Sequence, residues 1–176
     1  MSDAPRYKKW VDIGGLTLAV VGVFTYFYGE YLDDKRAREA AVLDRVQTLQ
    51  TEPLLDLRLT ILQEFSDKKT QLFLIFGPTE SELGNYVTDK LKDNTDLRNS
   101  IIRLVYFFDE IQTCVEAEQC SEKKSMSWMQ QDAAEVNSLF GPYIGQIALQ
   151  SGLPRLGCGM SKFATGKHPV RCASAP

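Results

Sequence analysis

The run Ile13–Tyr28, IGGLTLAVVGVFTYFY, decides how the rest of the chain is read, because it holds no charged residue. Coiled as a helix at about 1.5 Å per residue it reaches roughly 24 Å. A bilayer core is about 30 Å thick. Extension from Trp10 to Leu32 supplies the missing length. Asp12 and Glu30 then fall near the two interfaces, where a carboxylate reaches water. Trp10 marks one interface, and Tyr26, Tyr28 and Tyr31, with Phe24 and Phe27, form an aromatic belt at the other. A buried soluble helix does not account for an apolar surface all round with charges at both ends. A cleaved signal peptide would need small residues after the apolar run, and Thr25, Tyr26 and Phe27 stand there instead. The expectation is an uncleaved transmembrane helix over 10–32 behind a short basic tail over 1–9. Gly15, Ala19 and Gly22 form a small-residue stripe suited to close helix contact in lipid, which would allow homo-oligomerisation.

The rest of the composition is that of a folded domain. The chain has 176 residues, 44% hydrophobic and 24% charged, which argues against general disorder. Lys and Arg number 20 and Asp and Glu 23, a net charge of −3. No global excess of positive charge marks a nucleic-acid binder. A mean hydropathy of −0.21 averages over the one extreme stretch.

Past the membrane run, residues 33–52 lack Gly and carry many helix formers, with Val42, Leu43, Val46 and Leu49 on one side. They read as a helical stalk ending before Pro53. A helical soluble domain is expected over 53–152. Leu54, Leu55, Ile61, Leu62 and Phe65 suit a helix face, while LDLRLTIL also alternates like a strand; with no second strand to pair, helix is preferred. A break near Ser66–Lys69 leaves QLFLIF, Gln71–Phe76, as a second apolar piece ended by Gly77-Pro78. Thr79-Glu80-Ser81-Glu82 is a capping box opening a helix to about Lys92.

Residues 96–118 give the clearest amphipathic pattern: Leu97, Ile101, Leu104, Val105, Phe108, Ile111, Cys114 and Val115 recur at spacings of three and four, with Tyr106 and Phe107 broadening the face. Ser121 is a candidate N-cap for a helix carrying Met126, Trp128, Met129, Ala133, Val136 and Phe140. Gly141-Pro142 is expected to break or kink it before a short helix over Tyr143–Leu149. Residues 153–176 read as an extended tail, basic through Arg155, Lys162, Lys167 and Arg171. The fold class expected is all-α: anchor, stalk, small helical bundle and irregular tail.

Candidate chemistry is sparse. There are 4 cysteines, and four allow three pairings. Cys114 and Cys120 are separated by five residues at a helix end, and Cys158 and Cys172 bracket the tail. A Cys158–Cys172 bridge closes a loop of about 15 residues, worth about 3 kcal/mol in the chain-entropy model. Disulfides would put the domain in an oxidising compartment, the periplasmic side; four reduced thiols in a cytoplasmic domain are the alternative. Charge counting does not choose, since Arg6, Lys8 and Lys9 precede the run while Lys35, Arg36 and Arg38 come after it. Asp109-Glu110 reads as a solvent edge or local ion pair, and the lone His168 as a surface residue. No catalytic, cofactor-binding or metal-binding constellation is recognisable, and no phosphate loop or nucleophile elbow occurs.

Residues 101–144, with Phe108-Asp109-Glu110, the polar turn Ala117–Ser121 and the stretch Phe140–Ile144, resemble a family of bacterial single-pass membrane proteins with a helical domain of unknown function. The resemblance implies architecture alone. Function is therefore expected to be that of a membrane-anchored, non-catalytic accessory or interaction protein. It would be a subunit of, or adaptor to, a larger bacterial inner-membrane assembly, with membrane lipid and other membrane proteins as partners. The alternative is a membrane-anchored sensor or effector with a cytoplasmic signal-binding domain and an oligomerising anchor.

Overall fold

In the computed structural model, residues 4–52, 54–167, 169 and 172 are described, with side chains from residue 25 onward. The described residues form seven helices and no strand: α1 (Ala4–Leu49), α2 (Leu54–Phe65), α3 (Lys68–Ile75), α4 (Glu80–Leu91), α5 (Thr95–Glu116), α6 (Glu122–Gln150) and α7 (Cys158–Thr165). LDLRLTIL is helical, inside α2. The chain divides into two compact units, Met1–Arg38 and Glu39–Pro176.

In the first unit Tyr26, Phe27, Tyr28 and Tyr31 are all exposed. Arg38 pairs with Asp34 at 2.8 Å and Arg36 with Asp33 at 3.6 Å, one helical turn apart. Each such pair is worth a few tenths of a kcal/mol. Among the described residues no helix is long and apolar enough to cross a membrane. The expected span leans on Trp10, Gly15, Ala19 and Gly22, whose side chains lie outside the described set.

The second unit is built around α5. Leu97, Ile101, Leu104, Val105, Phe108 and Ile111 are buried at the spacing read from the sequence. Each large side chain removed from water contributes about 1.5–3 kcal/mol. Tyr106 departs from the expected face and is exposed, while Phe107 is buried. The last turns of α1 belong to this unit and bury Val42 and Leu49. α6 packs on α7 and α4, and α5 on α7 and α2. Phe65 of α2 meets Phe140 of α6 edge-on, ring centres 5.0 Å apart.

Caps set the helix starts. The Thr79 capping box is present, with Glu82 Oε2 accepting the Thr79 amide at 2.8 Å. Asp67 caps α3 by accepting the Thr70 amide at 2.6 Å, and its carboxylate also accepts Lys90 of α4. The buried Thr70 hydroxyl lies 2.6 Å from the Tyr86 hydroxyl, and Phe73 stacks on Tyr86 at 4.4 Å. This polar and aromatic seam joins α3 to α4. Ser121 occupies the N-cap of α6 without a side-chain capping bond.

Three sequence expectations are corrected. α6 continues through Gly141-Pro142, with Pro142 inside the helix. Loss of one amide donor there is outweighed by packing: Tyr143, Ile144 and Ala148 beyond it are buried, and Gly84 of α4 lies directly over Pro142. Leu55 and Leu62 of α2, placed on the packed face by the periodicity, are exposed. So are Leu72, Leu74, Ile75 and Phe76 of the second apolar piece, and Trp128 of α6, over which Lys124 sits. Finally, the expected extended tail contains α7. Met160 and Phe163 of α7, with Leu156 just ahead of it, recur at four and three residues and are buried. Left-handed glycines, Gly157 (φ 77°) and Gly166 (φ 73°), bound it at the two ends.

Candidate functional site

The most developed surface feature of the second unit lies where α5 meets the connection between α6 and α7. Asp109, the first half of the acidic pair, is partly buried. Its Oδ2 accepts the Gly157 amide and its Oδ1 the Gly159 amide, both at 2.7 Å. The first turn of a helix leaves amides unpaired, and a carboxylate there satisfies them and meets the positive end of the helix dipole. Gly159 is required by the approach itself: a Cβ would sit 2.4 Å from the Phe108 carbonyl oxygen and 2.8 Å from the Asp109 Cα.

Both cysteine pairs are closed beside this contact. Cys114 is bonded to Cys120, and Cys158 to Cys172. Among the described residues no free cysteine is present. The Cys114–Cys120 bridge closes the turn after α5, where the Gln119 and Cys120 amides both donate to the Cys114 carbonyl. It packs on Val42 of α1. Cys158–Cys172 ties the chain beyond α7 back to the start of that helix.

A cleft of about 830 Å³ opens between these elements, lined by Arg45, Tyr106, Asp109, Glu110, Leu153 and Arg155 among others. A second hollow of about 550 Å³ shares Arg45, Tyr106 and Glu110 and adds Asp44 and Arg103. The lining mixes guanidinium, carboxylate, phenol and aliphatic groups. Asp109 is already bonded to two backbone amides. A recess of about 90 Å³ that shares Asp109, Thr113 and Arg155 with the cleft is lined also by Gln112, Cys158 and Cys172. There the Gln112 Oε1 is buried without a partner while its Nε2 donates to Glu116 at 2.8 Å. Among the described residues no group of His, Cys, Asp and Glu is placed to hold a metal ion.

No family model, curated protein or solved structure matches the chain.

Of the residues singled out from sequence, the four cysteines form two disulfides, Cys114–Cys120 and Cys158–Cys172, one of the three pairings the sequence leaves open. Tyr26, Tyr28 and Tyr31 are exposed on α1. His168 lies outside the described residues. Asp109 does more than an edge carboxylate: its bond to α7 escapes a sequence reading that shows no helix in the tail to cap. The spacing of Leu156, Met160 and Phe163, the last two between Gly157 and Gly166, is the signal that reveals one.

Proposed function

We propose that this chain is a membrane-anchored, non-catalytic accessory or interaction protein whose helical domain sits in an oxidising compartment, as part of a larger bacterial inner-membrane assembly. One observation carries the reading. A chain with an uncharged apolar run near its start carries a domain whose four cysteines are all paired. Disulfides persist outside the reducing cytosol, and an apolar helix in lipid tethers the domain attached to it. Tethering raises the effective concentration of the domain toward other membrane proteins. The resemblance of residues 101–144 to single-pass bacterial membrane proteins supports the same architecture. The exposed tyrosines and phenylalanine at 26–31 fit an interfacial aromatic belt.

A second reading has the cleft in its favour. Arg45 and Arg155 line a volume large enough for a small molecule, which suits a sensor with a signal-binding domain. That reading puts the domain in the cytoplasm with reduced thiols. Acid-trapping cells and alkylating without reductant separates the two. Protection of all four cysteines supports the accessory protein; full labelling supports the sensor. Mild-detergent purification of the tagged chain then tests partnership, and recovery as a lone monomer counts against an accessory subunit.

A further inference from the structure

The apolar side chains that α2 leaves in water form a line. Leu55, Leu59 and Leu62 are 38%, 54% and 62% exposed. At about 100° per residue they lie within roughly 60° of one another, an i, i+4, i+7 stripe. Leu62 also borders a hollow of about 220 Å³ walled by Phe65, Leu104, Val136 and Leu139. Small-molecule sites run to about 300–1,000 Å³, so this hollow is scaled to a side chain.

Charge selects the occupant. Asp132 and Glu135 of α6 line the same hollow. Asp56 is exposed and flanks the stripe on its other side, roughly 60° round the helix from Leu59. Arg58, the basic residue of the hollow, is ion-paired to Asp132 at 3.1 Å. The flanks are therefore net acidic. An acidic rim repels anionic lipid head groups. A second copy placed symmetrically on this face would set acid against acid.

We propose that the face formed by α2 and α6 binds a basic amphipathic helix of a partner protein. Its apolar residues at i, i+4 and i+7 lie along Leu55, Leu59 and Leu62, with one of them seated in the hollow. Its lysines or arginines face Asp56 and Glu135. This rests on the reading of the chain as an interaction protein, and names the surface and the chemistry of the partner.

The test uses the full chain in phosphatidylcholine nanodiscs, with empty nanodiscs as control. The probes are two fluorescent helical peptides of about 18 residues, long enough to hold a helix. Both carry leucine at i, i+4 and i+7; one is flanked by lysine and the other by glutamate. The lysine peptide is expected to bind saturably and about tenfold or more tighter than the glutamate peptide. Leu59→Asp and Leu62→Asp, at exposed positions that leave the helical circular dichroism unchanged, should each weaken it about tenfold. Glu135→Lys should weaken it several-fold and reduce the preference for lysine. Equal binding of the two peptides, no binding above empty nanodiscs, or indifference to the leucine variants would overturn the proposal. So would self-association of the chain abolished by Leu62→Asp. Should the peptides fail while the wild-type chain still co-purifies with membrane proteins, this surface is dismissed and the interaction function stands.

Discussion

Asp109 on α5 holds Gly159 on α7 through a 2.7 Å bond from the glycine amide, and the same glycine has no room for a side chain against the α5 backbone. The two facts are one device. The close approach that excludes a Cβ is what brings the amide within reach of the carboxylate. Asp109→Ala leaves two amides of a half-buried helix start without their acceptor and should cost about 2–3 kcal/mol. Asp109→Asn keeps one acceptor and loses the charge, costing about 1 kcal/mol. Gly159→Ala must push α7 from α5, at about 1–3 kcal/mol or more. Urea unfolding in detergent, monitored by circular dichroism, ranks the three.

The two disulfides differ in the length of chain they close, with sequence separations of 14 for Cys158–Cys172 and 6 for Cys114–Cys120. In the chain-entropy model the longer loop contributes about 3 kcal/mol and the shorter about 2 kcal/mol. Replacing Cys158 and Cys172 by alanine should lower the unfolding midpoint more than the same change at Cys114 and Cys120. Limited proteolysis should then cut after α7 in the first variant only. Equal midpoints would mean that packing on Val42, not loop length, dominates the shorter bridge.

Asp67 gives the acid limb of stability a specific contributor. The Lys90 ammonium, the Thr70 amide and the Thr70 hydroxyl hold its carboxyl well below the usual carboxylate range. A depressed folded pKa adds stability that is present above the unfolded value, about 3.9, and is lost as pH falls through the folded value. From pH 7 to about 5 this group should change nothing; the loss sets in below that and continues as pH falls through the folded value. Asp67→Asn should flatten that part of the acid-unfolding curve, and carboxyl-carbon NMR should find Asp67 still ionised when ordinary aspartates are protonated.

The Ser125 hydroxyl is fully buried and unpartnered in the first turns of α6. Removing a buried polar group with no partner relieves a desolvation cost. Ser125→Ala should be neutral or stabilise by up to about 1 kcal/mol in the same unfolding assay, against the destabilisation usual for a buried substitution.

Legibility in the sequence depends on which forces are local. The α5 stripe, the Thr79 capping box and the break between α2 and α3 are encoded within a few residues, and each is legible there. The cysteine pairs are legible as candidates because both are close in sequence. Pro142 misleads because helix-breaking chemistry is local while the packing that carries α6 past it, Ile144 and Ala148 buried and Gly84 opposite, comes from elsewhere in the chain. α7 is hidden for the same reason: a short helix with few apolar residues is held by Asp109, 50 positions upstream of Gly159. Of the candidate site, the cysteines are visible in the sequence; the cleft and its arginines depend on tertiary placement and are not.

The central claim is that the segment around Ile13–Tyr28 lies in lipid and tethers a disulfide-bonded domain. Alkaline carbonate extraction of membranes from cells making the full chain tests it most directly. The chain should stay with the membrane pellet through the wash and enter solution only with detergent. Release into the carbonate supernatant, or recovery from the lysate without detergent, would contradict it.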